Sequence, residues 1–274
     1  MFDFRKSSIN SALRKVLIRF HCPIEVMLTC VRWYAACPLS LRHIEEMMQE
    51  RGVFVDHSTV HRWAVRMLPV LAAVFRRRKR PVGRSWRMDE NCIKVSGQWK
   101  YLYRAVDREG ETVDFLLTAK RDLAAARRFL ERAITLHDVP EKITIDKSGA
   151  NTAAIESVKT DASVDILMRQ NKYLNNIVEQ DHRGVKRVTQ PMLGFKSFWS
   201  ARIIIAGIET MHMIRKGQMD CPAGQPLPQR NSSTALQFDF QVSDATLFGQ
   251  TPLTRENRKI GQKACQYRWN QSGS

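Results

Sequence analysis

The hydrophobic period of the chain changes near residue 88, from helical spacing to strict alternation. The two periods bury different faces, so the chain must pass from helices to strands there. Upstream, Val26, Met27, Cys30, Val31 and Tyr34 mark a helix over 24–36 that Pro38 breaks. Ser40 caps a second helix, with His43 at the capping-box position where Glu or Gln is the usual partner, and Gly52 ends it. Asp56 or Ser58 then caps a third helix over 57–68, which Pro69 is expected to end. Two helices joined by a short glycine-containing turn form the pattern of a helix-turn-helix. On that reading His57, Ser58, Thr59, His61 and Arg62 make a polar face for DNA, with Val60, Trp63 and Met67 on the core side. Helical bundles with no DNA role share this pattern, and charge weighs between them. A net charge of +17 favours an anionic polymer, nucleic acid ahead of a membrane surface.

Downstream the order reads β-β-β-α-β-α-β-α. Residues 88–95, 99–107 and 112–119 form an antiparallel meander turned at Gly97-Gln98 and at Glu109-Gly110-Glu111. A helix over 121–136 carries Ala125, Phe129, Leu130 and Ala133 inward. A strand at 142–146, a helix over 151–158, a strand at 164–169, a helix around Glu179 and a long helix over 196–216 follow. The fold class is α/β (α+β), with the mixed central sheet of a ribonuclease H-like domain behind an all-α helix-turn-helix domain. The expected division is 1–75 helical, 76–87 basic linker, 88–218 catalytic and 219–274 irregular, the last rich in Pro, Gly, Gln, Ser and Asn. The linker includes Arg76, Arg77, Arg78, Lys79 and Arg80, read as crossing a phosphate backbone, against the plainer reading of a solvated charge run. No apolar run reaches the roughly 18 residues of a membrane helix. The six cysteines form no C-x-x-C or regular framework and read as reduced thiols of a cytosolic protein, with Cys22, Cys30 and Cys37 on one helical face.

The chemistry is expected from three acids. Asp146 ends the alternation Ile143-Thr144-Ile145 and meets a turn at Lys147-Ser148-Gly149, which puts it at the rim of the sheet. Glu179 lies in a helix opening at Asn175 or Asn176, with Arg183 one turn and Lys186 two turns along the same face, and Arg187 beside them. Asp89, on the first strand, is the best third acid. Three carboxylates brought together repel unless cations neutralise them, and hard oxygen ligands select Mg²⁺ or Mn²⁺. Two such ions about 3.5–4 Å apart clamp an in-line attack on a phosphodiester. Other acids compete less well. Glu90 points to the opposite strand face, Asp181 faces elsewhere on its helix, and Asp107 and Asp114 are expected to be solvated near turns.

The sequence resembles the DDE transposases of bacterial insertion sequences, and among them the insertion-sequence-six family. The resemblance runs from about residue 24 to about 226 and rests on long blocks in order. Among these are VRWY (31–34), LRHIEEMMQERGVFVDHSTVHRW (41–63), RMDE (87–90), GQWKYLYRAVDREGETVDFLL (97–117), TIDKSGAN (144–151) and KYLNNIVEQDHRGVKR (172–187). It implies an acid triad at Asp89, Asp146 and Glu179, with 33 positions from the second to the third, and a basic partner at Lys186. It further implies an N-terminal domain that binds double-stranded terminal inverted repeats, and Mg²⁺-dependent transfer of a 3′ end to target DNA, often producing cointegrates. A homodimer or larger synapse is implied too. Asn91-Cys92 replaces the family's usual Thr-Tyr pair, which is expected to loosen packing under the site, and the resemblance fades after about Leu227. Those departures leave a second reading, a catalytically impaired copy that only binds DNA.

Overall fold

A computed structural model describes residue 13 and residues 22–146, 149–171 and 176–220. The turn residues Lys147 and Ser148, the candidate cap Asn175 and the expected irregular tail from 221 onward lie outside the described residues.

Three helices come first. Helix α1 (Ile24–Ala36) stops at an extended Cys37, as the residue before a proline should. Helix α2 (Leu41–Glu50) opens with a reciprocal capping box, in which His43 N–H donates to Ser40 Oγ at 3.2 Å and Ser40 N–H donates to His43 Nδ1 at 3.3 Å. The imidazole thus does the work usually given to Glu. Helix α3 (His57–Arg76) corrects the expectation at Pro69, because the helix runs through it. Pro69 removes one backbone hydrogen bond, a loss of about 3 kcal/mol. Its ring is on the exposed side, while Trp63, Ala64, Met67, Leu68, Leu71 and Phe75 bury a face that continues past it. Each large apolar side chain buried contributes about 1.5–3 kcal/mol, so tertiary packing wins.

The sheet has the order β3-β2-β1-β4-β5, with β1 (Ser85–Val95), β2 (Gln98–Val106) and β3 (Thr112–Thr118) antiparallel. Strands β4 (Lys142–Ile145) and β5 (Leu167–Gln170) run parallel to β1. This mixed order, with the fourth strand against the first, is the ribonuclease H-like arrangement expected from the sequence. The β1–β2 turn is Ser96-Gly97, both at positive φ, which suits the right-handed twist of a tight hairpin.

Two cores lie on the two faces. On one, helices α4 (Leu123–His137) and α5 (Gly149–Ala162) cover Trp86, Met88, Tyr103, Ile143 and Ile145. On the other, α1–α3 and α7 (Phe198–Arg215) form a continuous cluster with Ile93, Val95, Leu102, Phe115 and Leu117. The N-terminal helices are therefore joined to the sheet through one continuous core, packing against one another and against α7.

The basic segment 76–87 is knitted into the same body. Arg76 ends α3, Ser85–Arg87 already pair with β4, and Trp86 is buried with its Nε1–H donating to Gly83 O at 2.8 Å. Asp107 and Asp114 are also corrected, since both are buried. Asp107 accepts the Gly83 and Glu111 N–H groups at 2.9 and 2.8 Å, and Asp114 pairs with Arg132 at 2.7 Å. Partners brought from other elements replace the water expected at a turn.

Helices α3 and α7 cross in close approach at Gly207, where a Cβ would lie 2.6 Å from both methyls of buried Leu68. Gly207→Ala is expected to lower stability by about 1–3 kcal/mol through overpacking. Urea unfolding at constant m measures it, and an unchanged midpoint would contradict this crossing.

Candidate active site

Strands β1 and β4 place two acids side by side. Their last register pair is Arg87 with Thr144, and two residues further along each strand come Asp89 and Asp146. Alternate residues share a face, so both carboxylates project from the face opposite Trp86, Met88, Ile143 and Ile145. Asp146 follows the last residue of β4, whose carbonyl accepts the Asn171 N–H at 3.1 Å. The pair thus sits where parallel strands end, the usual position for a ligand.

Helix α6 (Asn176–Thr189) crosses this face. Its buried His182 brings Nε2 to 3.5 Å from Asp89 Oδ2. Glu179 is one turn before His182 on the same side, and it is exposed, as are Arg183, Lys186 and Arg187. The structure therefore puts Asp89 and Asp146 at neighbouring strand positions and Glu179 on the helix whose His182 touches Asp89.

The donor set suits a hard cation. Asp146 Oδ1 is buried with no hydrogen-bond partner among the described residues, a costly state for a carboxylate with another acid beside it. Among the described residues the tightest group of ligand-type atoms is elsewhere, at Glu45, Asp56 and His57. There the His57 ring bonds both carboxylates, Nδ1 lying 2.8 Å from Glu45 and 2.9 Å from Asp56, so the acids already have a partner.

Glu90 points the other way, as expected. Asn151 Nδ2 donates to it at 2.6 Å and Arg121 pairs with it, while burial raises its pKa against those partners. This ties β1 to the first turn of α5, the helix that follows Asp146. Cys92 lies on an exposed part of the same face as Glu90, so the expected loosening beneath the acids does not occur. Cys30 is buried and Cys22 and Cys37 half-buried in the helical core, and burial pushes the Cys30 thiol up to about 12 and Cys22 to about 11.

The largest group missed by sequence reasoning is a buried ion network behind α6. Arg104 on β2, fully buried, donates to Asp181 at 2.8 Å and pairs with Glu209 on α7. Lys216 Nζ donates to Asp181 at 2.5 Å, and His212 Nε2 lies 3.2 Å from its other oxygen. Two cations face two acids, so the buried charge is balanced. Gly184 lets α6 approach α7 here, since a Cβ would lie 3.0 Å from the His212 ring.

The expected DNA-facing residues are dispersed. Ser58 and Arg62 are exposed, but Ser58 Oγ donates to Asp56 and Arg62 donates to Thr59 at 2.9 Å. His61 is half-buried, and its pKa is lowered by burial and then by Lys196. Arg76 and Arg77 are exposed and Arg78 is half-buried. Lys79 and Arg80 are engaged inside the fold. Lys79 Nζ donates to Val113 O at 2.5 Å beside His137, with its pKa lowered to about 8 by burial, and Arg80 pairs with Glu111 at 3.0 Å.

The profile described as a DDE domain matches residues 83–218. The transposase for insertion sequence-like element IS431mec of Staphylococcus aureus strain Mu50 is 36% identical over 199 residues, 70% of this chain and 85% of that protein. The transposase of element IS257 in transposon Tn4003 of the same species matches with the same identity and coverage. The chain belongs to the insertion-sequence-six family of DDE transposases. It is a metal-dependent enzyme of DNA strand cleavage and transfer. Among solved structures, the HTLV-2 integrase catalytic core domain in complex with magnesium is 16% identical and covers 53% of this chain and 95% of its own, with a TM-score of 0.39. No described helix of the transposase is long and apolar enough to cross a membrane.

Burial alone would raise the pKa of Asp181, but the His212 hydrogen bond and the charges of Arg104 and Lys216 hold it far below 3.8. A carboxyl depressed on folding contributes stability that is complete above its unfolded pKa and is lost as pH falls toward the folded value. Stability is therefore expected to decline below about pH 4, near the unfolded aspartate value. Asp181→Asn should be less stable at pH 7 and show a flatter acid limb in urea unfolding. An acid limb identical to wild type would contradict the network's role. Arg104→Ala, which strands buried Glu209 and leaves Asp181 to Lys216 and His212, should cost about 3–5 kcal/mol.

Proposed function

We propose that Asp89, Asp146 and Glu179 are the catalytic acids and metal ligands of this transposase, holding two Mg²⁺ or Mn²⁺ ions. The observation that carries the proposal is the buried Asp146 Oδ1, without a hydrogen-bond partner among the described residues, at the strand position next to Asp89, with Glu179 on the helix that touches Asp89. Divalent ions held there would activate a water or a 3′-hydroxyl and stabilise the leaving oxygen of a phosphodiester. The chain's own residues supply placement. Asp89 and Asp146 fix one side of the site on adjoining strands, and Glu179 meets them from an exposed helical turn. His182 fills the space beside Asp89 and excludes water there. Arg183, Lys186 and Arg187 continue from Glu179 along exposed α6, where they neutralise the DNA backbone leaving the site.

The substrate in this reading is double-stranded DNA, namely the element's terminal inverted repeats and a target. The N-terminal helices contribute repeat binding through Ser58, Arg62, Arg76 and Arg77, and the chain works as a homodimer or larger synapse in the bacterial cytoplasm. A copy that only binds DNA gains no support, because Cys92 lies away from the paired acids.

The test is strand transfer in vitro with Mg²⁺, labelled repeat DNA and a plasmid target. Asp146→Ala and Glu179→Gln are expected to keep end binding within about two-fold and to lose joined product by about 10²–10³-fold or more, on the scale of removing an essential charge-stabilising group. Joined product from Asp146→Ala would reject its assignment. Lys186→Ala should weaken DNA binding uniformly and reduce the salt slope of affinity by about one phosphate contact.

A further inference from the structure

Helix α6 carries a buried side chain beside Asp89 that the three acids leave without a role. We infer that His182 is a positioning residue for Asp89, its Nε2–H holding Asp89 Oδ2 so that the carboxylate offers its other oxygen to a cation. The inference rests on the reading of Asp89 and Asp146 as metal ligands and deepens it. His182 is 5% exposed, and its Nε2 lies 3.5 Å from Asp89 Oδ2. Among the described residues no other basic or imidazole side chain comes within ion-pair distance of Asp89.

Neither ring nitrogen of His182 has a hydrogen-bond partner among the described residues. A buried imidazole in that state costs stability, because a leucine or phenylalanine would fill the same space with no polar atom to satisfy. Packing alone therefore does not explain a histidine at this position. Its orientation does. A carboxylate accepts hydrogen bonds and does not donate them, so the facing Nε2 carries the proton. The contact is slightly longer than an ordinary hydrogen bond, as contacts in active sites often are until the site is engaged.

The fold holds this ring from behind. Asp181, the preceding residue, is tied to Arg104 on β2 and to Lys216 and His212, which sets the rotation of α6. Val178 and Val185, four residues before His182 and three after it, are buried on the same side of the helix. Helix α6 packs on both β1 and β2, and Gly184 lets it approach the His212 ring closely. The imidazole is therefore pinned toward β1, where Asp89 stands. A ligating carboxylate held by such a partner keeps one direction. Losing an outer partner of this kind typically costs about 10–100-fold in metal affinity or activity.

The experiment titrates the full chain with Mn²⁺, reading the free ion by electron paramagnetic resonance, alongside urea unfolding. His182→Phe keeps a buried ring without nitrogens. It is expected to weaken Mn²⁺ binding by about 10–100-fold while its unfolding midpoint stays at or above that of wild type. His182→Gln places an N–H donor near the Nε2 position, whereas His182→Asn carries the same amide on a stem too short to reach Asp89. The glutamine variant should therefore bind Mn²⁺ about ten-fold or more tighter than the asparagine variant, a comparison that stands even where the phenylalanine variant does not fold. Strand transfer should fall in the same order. The role is overturned if the folded phenylalanine variant binds Mn²⁺ as wild type does, or if the two amide variants bind it equally. It is also overturned if pulsed resonance of bound Mn²⁺ shows a directly coordinated nitrogen that His182→Gln removes, which would make His182 a ligand itself. Asp146→Ala tests the acid pair separately. Loss of Mn²⁺ binding in that variant, with none in the His182 variants, defeats this inference alone, while unchanged binding in it defeats the reading beneath.

Discussion

The Arg104–Asp181 ion pair fixes the rest of the site. Helix α6 presents a polar face toward the ends of the parallel strands, and its apolar positions are few: Val178, Val185 and Val188 are buried. Valine burial alone does not specify which face of a helix meets a sheet. A buried guanidinium on β2 does, because only one rotation of α6 brings Asp181 within hydrogen-bond reach of it. Lys216 and His212 grip the same carboxylate from α7, so three elements share one charge centre. With Asp181 turned to that centre, His182 is turned toward Asp89, and Glu179 lies one turn before it on the same side of the helix. Replacing such a network by apolar groups is often neutral for stability, so its value here lies in orientation.

Much of this was legible in the sequence because the signals are local. The alternation in 99–106, the capping box at Ser40 and His43, and the strand ending at Asp146 each declare themselves within a few residues. The pairing of Asp89 with Asp146 followed from topology, since a fourth strand running parallel to the first must put its end beside it. The burial of Asp181 was not legible, because its partners lie 77, 31 and 35 positions away. Asp107 and Asp114 escaped for the same reason, their turn-like neighbourhood suggesting water where distant N–H groups and Arg132 wait. Pro69 was misread because a local rule met a larger tertiary term from the α3 face packed beneath it.

The basic character of the chain divides into two uses. Arg104, Lys79 and Lys216 are spent inside, holding elements together, and burial lowers the pKa of both lysines. Arg183, Lys186, Arg187 and Lys196 stand outside in a stretch without acids. A run of positive residues in the sequence, such as 76–80, therefore does not by itself mark the DNA path. Exposure separates the structural cations from those free to meet phosphate.

The central claim is that the acids on β1, β4 and α6 form one cation site. Crystals of the transposase soaked in Mn²⁺ and measured at the manganese edge test it most directly. The account predicts anomalous density between Asp89 and Asp146, with Glu179 drawn in as a further ligand. Density confined to Glu45, Asp56 and His57, with none between the paired acids, would contradict it.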